Sequence, residues 1–173
     1  MPKVSFVIGV AASGKTHFIN HFFADKDVDI LNVYDYQQKA YEEAGLRDLI
    51  PIEVQFRCLM KANDRLLNDI IEKMKCGRNV VVEQTFFKAK RRIVYVDKIR
   101  ESVDADIEIY VMCPNDERWQ ENIRIRKLED ARDSLKMQVA EMEFPNPIEG
   151  FDSIYEVSDG CIKLRMNPPL DEQ

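Results

Sequence analysis

The sequence predicts an α/β domain in three layers, α/β/α, around a mostly parallel sheet. Three observations carry this. Short apolar, β-branched runs alternate with stretches patterned at helical spacing. Successive strands separated by a helix pair in parallel, with helices on both faces. One glycine-rich turn, Gly9-Val10-Ala11-Ala12-Ser13-Gly14-Lys15-Thr16, joins the first run to the first helical stretch.

The elements follow in order. Residues 3–8 (KVSFVI) read as a buried strand, and residues 16–23 place Phe18, Ile19, Phe22 and Phe23 at helical spacing. Residues 29–33 (DILNV) form a short second strand. Residues 51–76 carry Phe56, Leu59, Met60, Leu67, Ile70, Ile71 and Met74 three or four apart, a long amphipathic helix stopped by Gly77. Residues 79–83 (NVVVE) are continuously apolar up to the acid, as a central strand is. A helix is expected over 88–102 and a strand over 107–112, ended by Pro114. Asn115 or Asp116 caps a charged helical lid, residues 118–142, straight or with a bend. Residues 153–157 and 161–166 flank Asp159-Gly160, a strong hairpin signal at the C-terminal end.

The length of 173 residues suits one domain, 1–173. No apolar run approaches the ~20 residues that span a bilayer, so no membrane partner is expected. The first strand starts almost at once, which predicts a chain without a signal peptide. Cys58, Cys76, Cys113 and Cys161 lack metal-ligand spacing and read as reduced thiols of a cytoplasmic protein. A net charge of −6 argues against coating nucleic acid by bulk electrostatics, though not against a small basic groove.

The glycine-rich turn fits the pattern G-x-x-x-x-G-K-[ST] between a strand and a helix, the context of a P-loop NTPase fold. Its amides make a concavity for phosphate oxygens, and the helix N-terminus adds positive charge. Gly9, Ala11, Ala12, Ser13, Gly14, Lys15, Thr16 and His17 are therefore the residues expected to bind a nucleoside triphosphate. Lys15 reaches the β- and γ-phosphates, and Thr16 ligates Mg²⁺. His17 and His21 stand four apart but lack a third ligand, and read as surface or packing residues.

Ligands of such sheets gather beyond the carboxyl ends of the strands. Asp35, just past the second strand, is a candidate general base for an acceptor hydroxyl, or a helix cap. Glu83 ends the most apolar strand and is a candidate metal-side carboxylate beside Thr16; Thr85 follows as a substrate contact. Lys88, Lys90, Arg91 and Arg92 cluster at a helix start, where the dipole disfavours cations. An anionic substrate on Arg91 and Arg92 or carboxylates of the protein would offset that cost, and an ordinary solvated charge run is the alternative. Of the lid arginines, Arg124 and Arg126 are candidates to neutralise the moving phosphoryl group, and being two apart they face different sides.

Together these residues resemble the small P-loop kinases related to phage-type polynucleotide 5′-kinase and to zeta-toxin-like kinases. The resemblance implies an Asp base at Asp35 and a substrate-contacting turn and arginine pair at Glu83-Gln84-Thr85 and Arg91-Arg92. It also implies a lid motif echoed by Pro114, Glu117, Asn122, Arg124 and Arg126, and a late motif at Phe144-Pro145 and Glu149-Gly150-Phe151-Asp152. In strict register the family's base falls on Tyr34, an expected arginine on Gln37, an expected Asp on Gln84 and the first lid arginine on Glu121. The expected activity is ATP- and Mg²⁺-dependent phosphorylation of a hydroxyl on a small molecule or a nucleic-acid 5′ end. A polynucleotide kinase proper and a non-catalytic nucleotide switch are the alternatives.

Overall fold

Six strands, β1 (Lys3–Ile8), β2 (Asp29–Asn32), β3 (Val80–Gln84), β4 (Asp106–Met112), β5 (Ser153–Ser158) and β6 (Cys161–Met166), form one sheet in the computed structural model. Their order is β2-β3-β1-β4-β5-β6, and the structure describes residues 1–45 and 51–166. Every neighbouring pair is parallel except β5 with β6, the hairpin at Asp159-Gly160.

Side-chain alternation along the strands sorts the core into two faces. Val4, Phe6 and Ile8 of β1 and Ile107, Ile109 and Val111 of β4 pack against Leu66, Ile70 and Met74 of α3 (Ile52–Lys75) and Val96 and Ile99 of α4 (Ala89–Ser102). Val7, Val81, Tyr110 and Val157 face the other way, onto Ile19 of α1 (Lys15–Phe22) and Phe23 at its C-cap. Three layers result, as expected.

Several boundaries lie one residue from the expectation, and two places differ for local reasons. The second strand stops at Asn32, whose side chain accepts the Tyr34 N–H at 2.9 Å and starts α2 (Val33–Glu43) one residue early. The lid is not one helix. Asn115 caps α5 (Asp116–Ile125), Lys127 turns the chain at φ 55°, and a short 3₁₀ turn, Glu129–Ala131, leads into α6 (Arg132–Glu141). Ile123 and Leu135 bury themselves against Ala12, so both lid helices lie over the glycine-rich turn. No described helix is long and apolar enough to cross a membrane.

Candidate active site

The glycine-rich turn leaves the carboxyl end of β1 and enters α1 with the geometry its composition requires. A Cβ on Gly9 would stand 2.7 Å from Ser13 Oγ and 3.0 Å from Met112 Cβ, so only glycine fits there. Gly14, at φ 95°, is the N-cap of α1 and turns the chain into the helix. Ala12 holds φ 62°, a conformation costing a non-glycine residue about 1 kcal/mol or more. The lid supports it: Asn122 Nδ2 donates to the Ala12 carbonyl at 2.9 Å.

Ser13 Oγ is buried and finds no hydrogen-bond partner among the described residues. Lys15 is also buried; its ammonium folds back to donate to the carbonyls of Gly9 (3.0 Å) and Val10 (2.9 Å). Burial lowers the Lys15 pKa to about 8, the Arg126 charge pushes the same way and Glu83 opposes. An orphaned donor, a desolvated ammonium and a cradle open only to glycine together fit a polyphosphate.

Glu83 lies beside this cradle because β3 is paired to β1. The carboxylate is buried and accepts from the Thr16 hydroxyl at 2.8 Å and from Asn32 Nδ2 at 3.1 Å. A hydroxyl and a carboxylate in contact are the oxygen donor set that Mg²⁺ takes.

A cavity of about 590 Å³ extends from Ala12, Ser13 and Gly14 along His17, Phe18, His21 and Phe22 of α1 to the Asp159-Gly160 turn. Its opposite wall is Arg118, Asn122 and Arg126 of the lid. The expected His17 therefore lies on the wall of this space, its ring tilted 35° against that of His21 at 4.0 Å between centroids.

The lid arginines separate as their spacing requires. Arg126 faces the cavity, and its charge reaches Lys15 and Tyr34. Arg124 does not face the loop: exposed, it pairs with Glu121 at 2.7 Å one turn earlier on the outer face of α5. Arg118, one of the lid cations of the sequence, and Asn122, part of the lid motif, share this wall with Arg126, since 118, 122 and 126 fall on one helix face.

Asp35 sits in the first turn of α2, exposed, with its charge felt by Tyr36. Its neighbour Tyr34 is half exposed; partial burial raises the phenol pKa, Glu83 raises it further and Arg126 opposes. Thr85 follows β3, half-buried.

The cationic cluster is largely consumed inside the protein. Arg92 is fully buried in a two-pronged pair with Glu149, at 2.6 and 2.8 Å, and also donates to the carbonyls of Phe86 and Phe87. A side chain so enclosed cannot also meet substrate, which corrects the expectation for Arg92. Glu143 caps α4 through the Ala89 N–H at 2.8 Å and pairs with Lys88 at 3.4 Å. Carboxylates of the protein thus offset the cations at this helix start. Arg91 is half-buried and reaches the Met60 sulfur on α3. The segment just before α3 lies partly outside the described residues.

A family model described as an AAA domain matches residues 4–145. No curated protein matches the chain. Among solved structures, a protein of Chloroflexus aurantiacus j-10-fl proposed to be a kinase aligns with a TM-score of 0.70 at 16% identity, covering 91% of this chain and 88% of that one. A sugar kinase of Janibacter sp. HTCC2649 aligns at 0.62 and 17% identity, covering 91% and 86%. A chain of the Pnkp1/Rnl/Hen1 RNA repair complex aligns at 0.61 and 18% identity over 82% of this chain and 44% of its own length. At these identities the likeness to solved structures is one of fold. The matched family and the phosphate-binding turn agree: the chain belongs to the AAA domain family and has a P-loop fold.

Proposed function

We propose that this domain is a cytoplasmic ATP-dependent kinase that moves the γ-phosphoryl group to an alcohol hydroxyl, with a small molecule as the favoured acceptor. The observation that carries the reading is the convergence of Lys15, the Thr16–Glu83 pair and Arg126 at one end of the turn between β1 and α1. Phosphoryl transfer is chiefly positioning and charge neutralisation, and these groups supply both.

The loop amides and Lys15 hold the β- and γ-phosphates, with the ammonium exchanging its two carbonyl bonds for phosphate oxygens. Thr16 and Glu83 would hold Mg²⁺, which when bound neutralises charge on the phosphates. Arg126 approaches from the lid to neutralise charge on the equatorial oxygens. Asp35, at the start of α2, takes the proton of the acceptor hydroxyl. Helix α3 and Thr85 border the acceptor side.

Transfer to a nucleic-acid 5′ end is the second reading, favoured by the half-buried Arg91 beside the exposed Phe56 and Met60 of α3. The internal pairing of Arg92 and Lys88 weakens it. A screen of sugars, other polyols, nucleosides and 5′-hydroxyl oligonucleotides against ATP labelled in the γ position tests both. Label in a small alcohol supports the first, and label on an oligonucleotide supports the second. Analogue binding with no label in any acceptor favours a non-catalytic switch.

A further inference from the structure

Ala11 is held by the lid at both of its peptide groups. Its carbonyl accepts from Trp119 Nε1 of α5 at 3.0 Å, and its N–H donates to Gln138 Oε1 of α6 at 3.3 Å. An N–H in such a turn is a donor that a phosphate oxygen uses, so the Gln138 amide oxygen occupies a phosphate oxygen's place. Ala12, Ser13 and Gly14 line the large cavity, whereas Ala11 is not among its lining residues. A polyphosphate entering from that cavity therefore reaches Ala11 with its far end.

Helix α6 is lightly attached. Leu135 is its buried side chain, packed against Ala12 and Ile123, and Gln138 lies three residues further along the same face. A helix with so little buried surface opens at low cost.

We propose that Gln138 reads the terminal phosphate of a bound nucleoside triphosphate and so sets the preference for triphosphate over diphosphate. The inference rests on the nucleotide-binding reading above. A side-chain amide has an acceptor end and a donor end, while phosphate oxygens only accept. When the terminal phosphate takes the Ala11 N–H, Oε1 faces an acceptor and is displaced. Turning Nε2 toward the phosphate restores a hydrogen bond and holds α6 closed on the ligand. A diphosphate stops short of Ala11 and leaves the bond between Ala11 and Gln138 in place.

The test is calorimetry of a non-hydrolysable ATP analogue and of ADP, each with Mg²⁺, on the full chain and on Q138E and Q138A. Q138E keeps an acceptor for Ala11 but offers the phosphate no donor, so the ratio of analogue to ADP affinity falls about tenfold or more. In Q138A, which also serves if Q138E fails to fold, the ratio falls about threefold. In the wild type, trypsin cleavage within α6, after Arg132 and Lys136, responds to the analogue and not to ADP. Unchanged affinity ratios in the folded variants overturn the role of Gln138 and leave the site standing. A wild-type chain that binds neither nucleotide overturns both.

Discussion

Thr16 donates its hydroxyl to Glu83 across 2.8 Å, tying the residue after the loop lysine to the carboxyl end of β3. The contact exists because β3 is the parallel neighbour of β1, with Val7 opposite Glu83 in the register. Asn32 holds the other carboxylate oxygen from β2, so α1 and β2 both converge on the acid that β3 carries.

That convergence predicts the behaviour of Glu83→Gln. The amide keeps the shape and loses the charge a metal ion needs. Binding of ATP in the presence of a chelator is expected to stay equal or tighten, since a negative group near the phosphates is gone. The gain in affinity on adding Mg²⁺ should shrink about tenfold, and turnover should fall about 10²-fold. Titrations with and without Mg²⁺ check the first two, and an undiminished metal effect removes Glu83 from the metal site.

Lys15 gives a pH-dependent prediction. Its folded-state pKa is about 8 against the ordinary lysine value of 10.5, chiefly through burial. Between those pH values the unfolded chain binds more protons, so stability rises with pH across the window and burial of the charge is a cost below it. The cost is about 3 kcal/mol at most. Lys15→Met is therefore expected to raise the melting temperature at pH 7 while abolishing turnover. The stability advantage should fade as pH climbs from 8 toward 10.5. Melting curves across that range check the sign; a variant less stable at pH 7 contradicts the burial argument.

The lid arginines should differ sharply. Arg126→Ala removes the cation facing the cavity and is expected to lower turnover about 10³-fold, with nucleotide affinity reduced far less. Arg124→Ala breaks an exposed pair worth little and should change turnover less than about twofold. Steady-state kinetics on the two variants checks the assignment, and equal losses contradict it.

Much of this was legible in the residues. The strand and helix order, the hairpin and the phosphate-binding turn follow from periodicity and glycine placement, which depend on neighbours along the chain. The pairing of Glu83 with Thr16 was foreseeable because the sheet fixes where strand ends meet. Which of two arginines faces inward was not, since a helix presents every residue to some side and only packing of Ile123 on Ala12 sets the rotation. Arg92 misled for a similar reason. Its partner Glu149 lies far away in sequence, and nothing local distinguishes a buried arginine from a substrate-binding one. Gln138 was invisible for the same cause: a polar lid residue has no pattern until the loop amide beneath it is seen.

Asp35 carries the proposed base chemistry. Asp35→Asn should leave ATP affinity within about twofold and slow phosphoryl transfer about 10²-fold or more. Tyr34→Phe is the companion variant, because its phenol is the group that senses Glu83 and Arg126. Single-turnover measurements separate the two; a slow Tyr34→Phe beside a normal Asp35→Asn shifts the role to Tyr34.

Arg92 and Glu149 form a buried pair that joins α4 to the 3₁₀ turn Pro147–Glu149, and Glu149 also accepts the Asn146 N–H at 3.1 Å. Arg92→Met leaves the carboxylate enclosed without its cation, which should cost about 3–5 kcal/mol of stability. Removing both partners, Arg92→Met with Glu149→Leu, should recover only part of this, because the double change also gives up the cap at Asn146. Turnover per folded molecule should stay within about twofold of the wild type, since Arg92 is enclosed and its donors are taken by Glu149 and the Phe86 and Phe87 carbonyls. Urea denaturation and kinetics on the folded fraction decide it. A single variant that folds normally but loses turnover returns Arg92 to the substrate side.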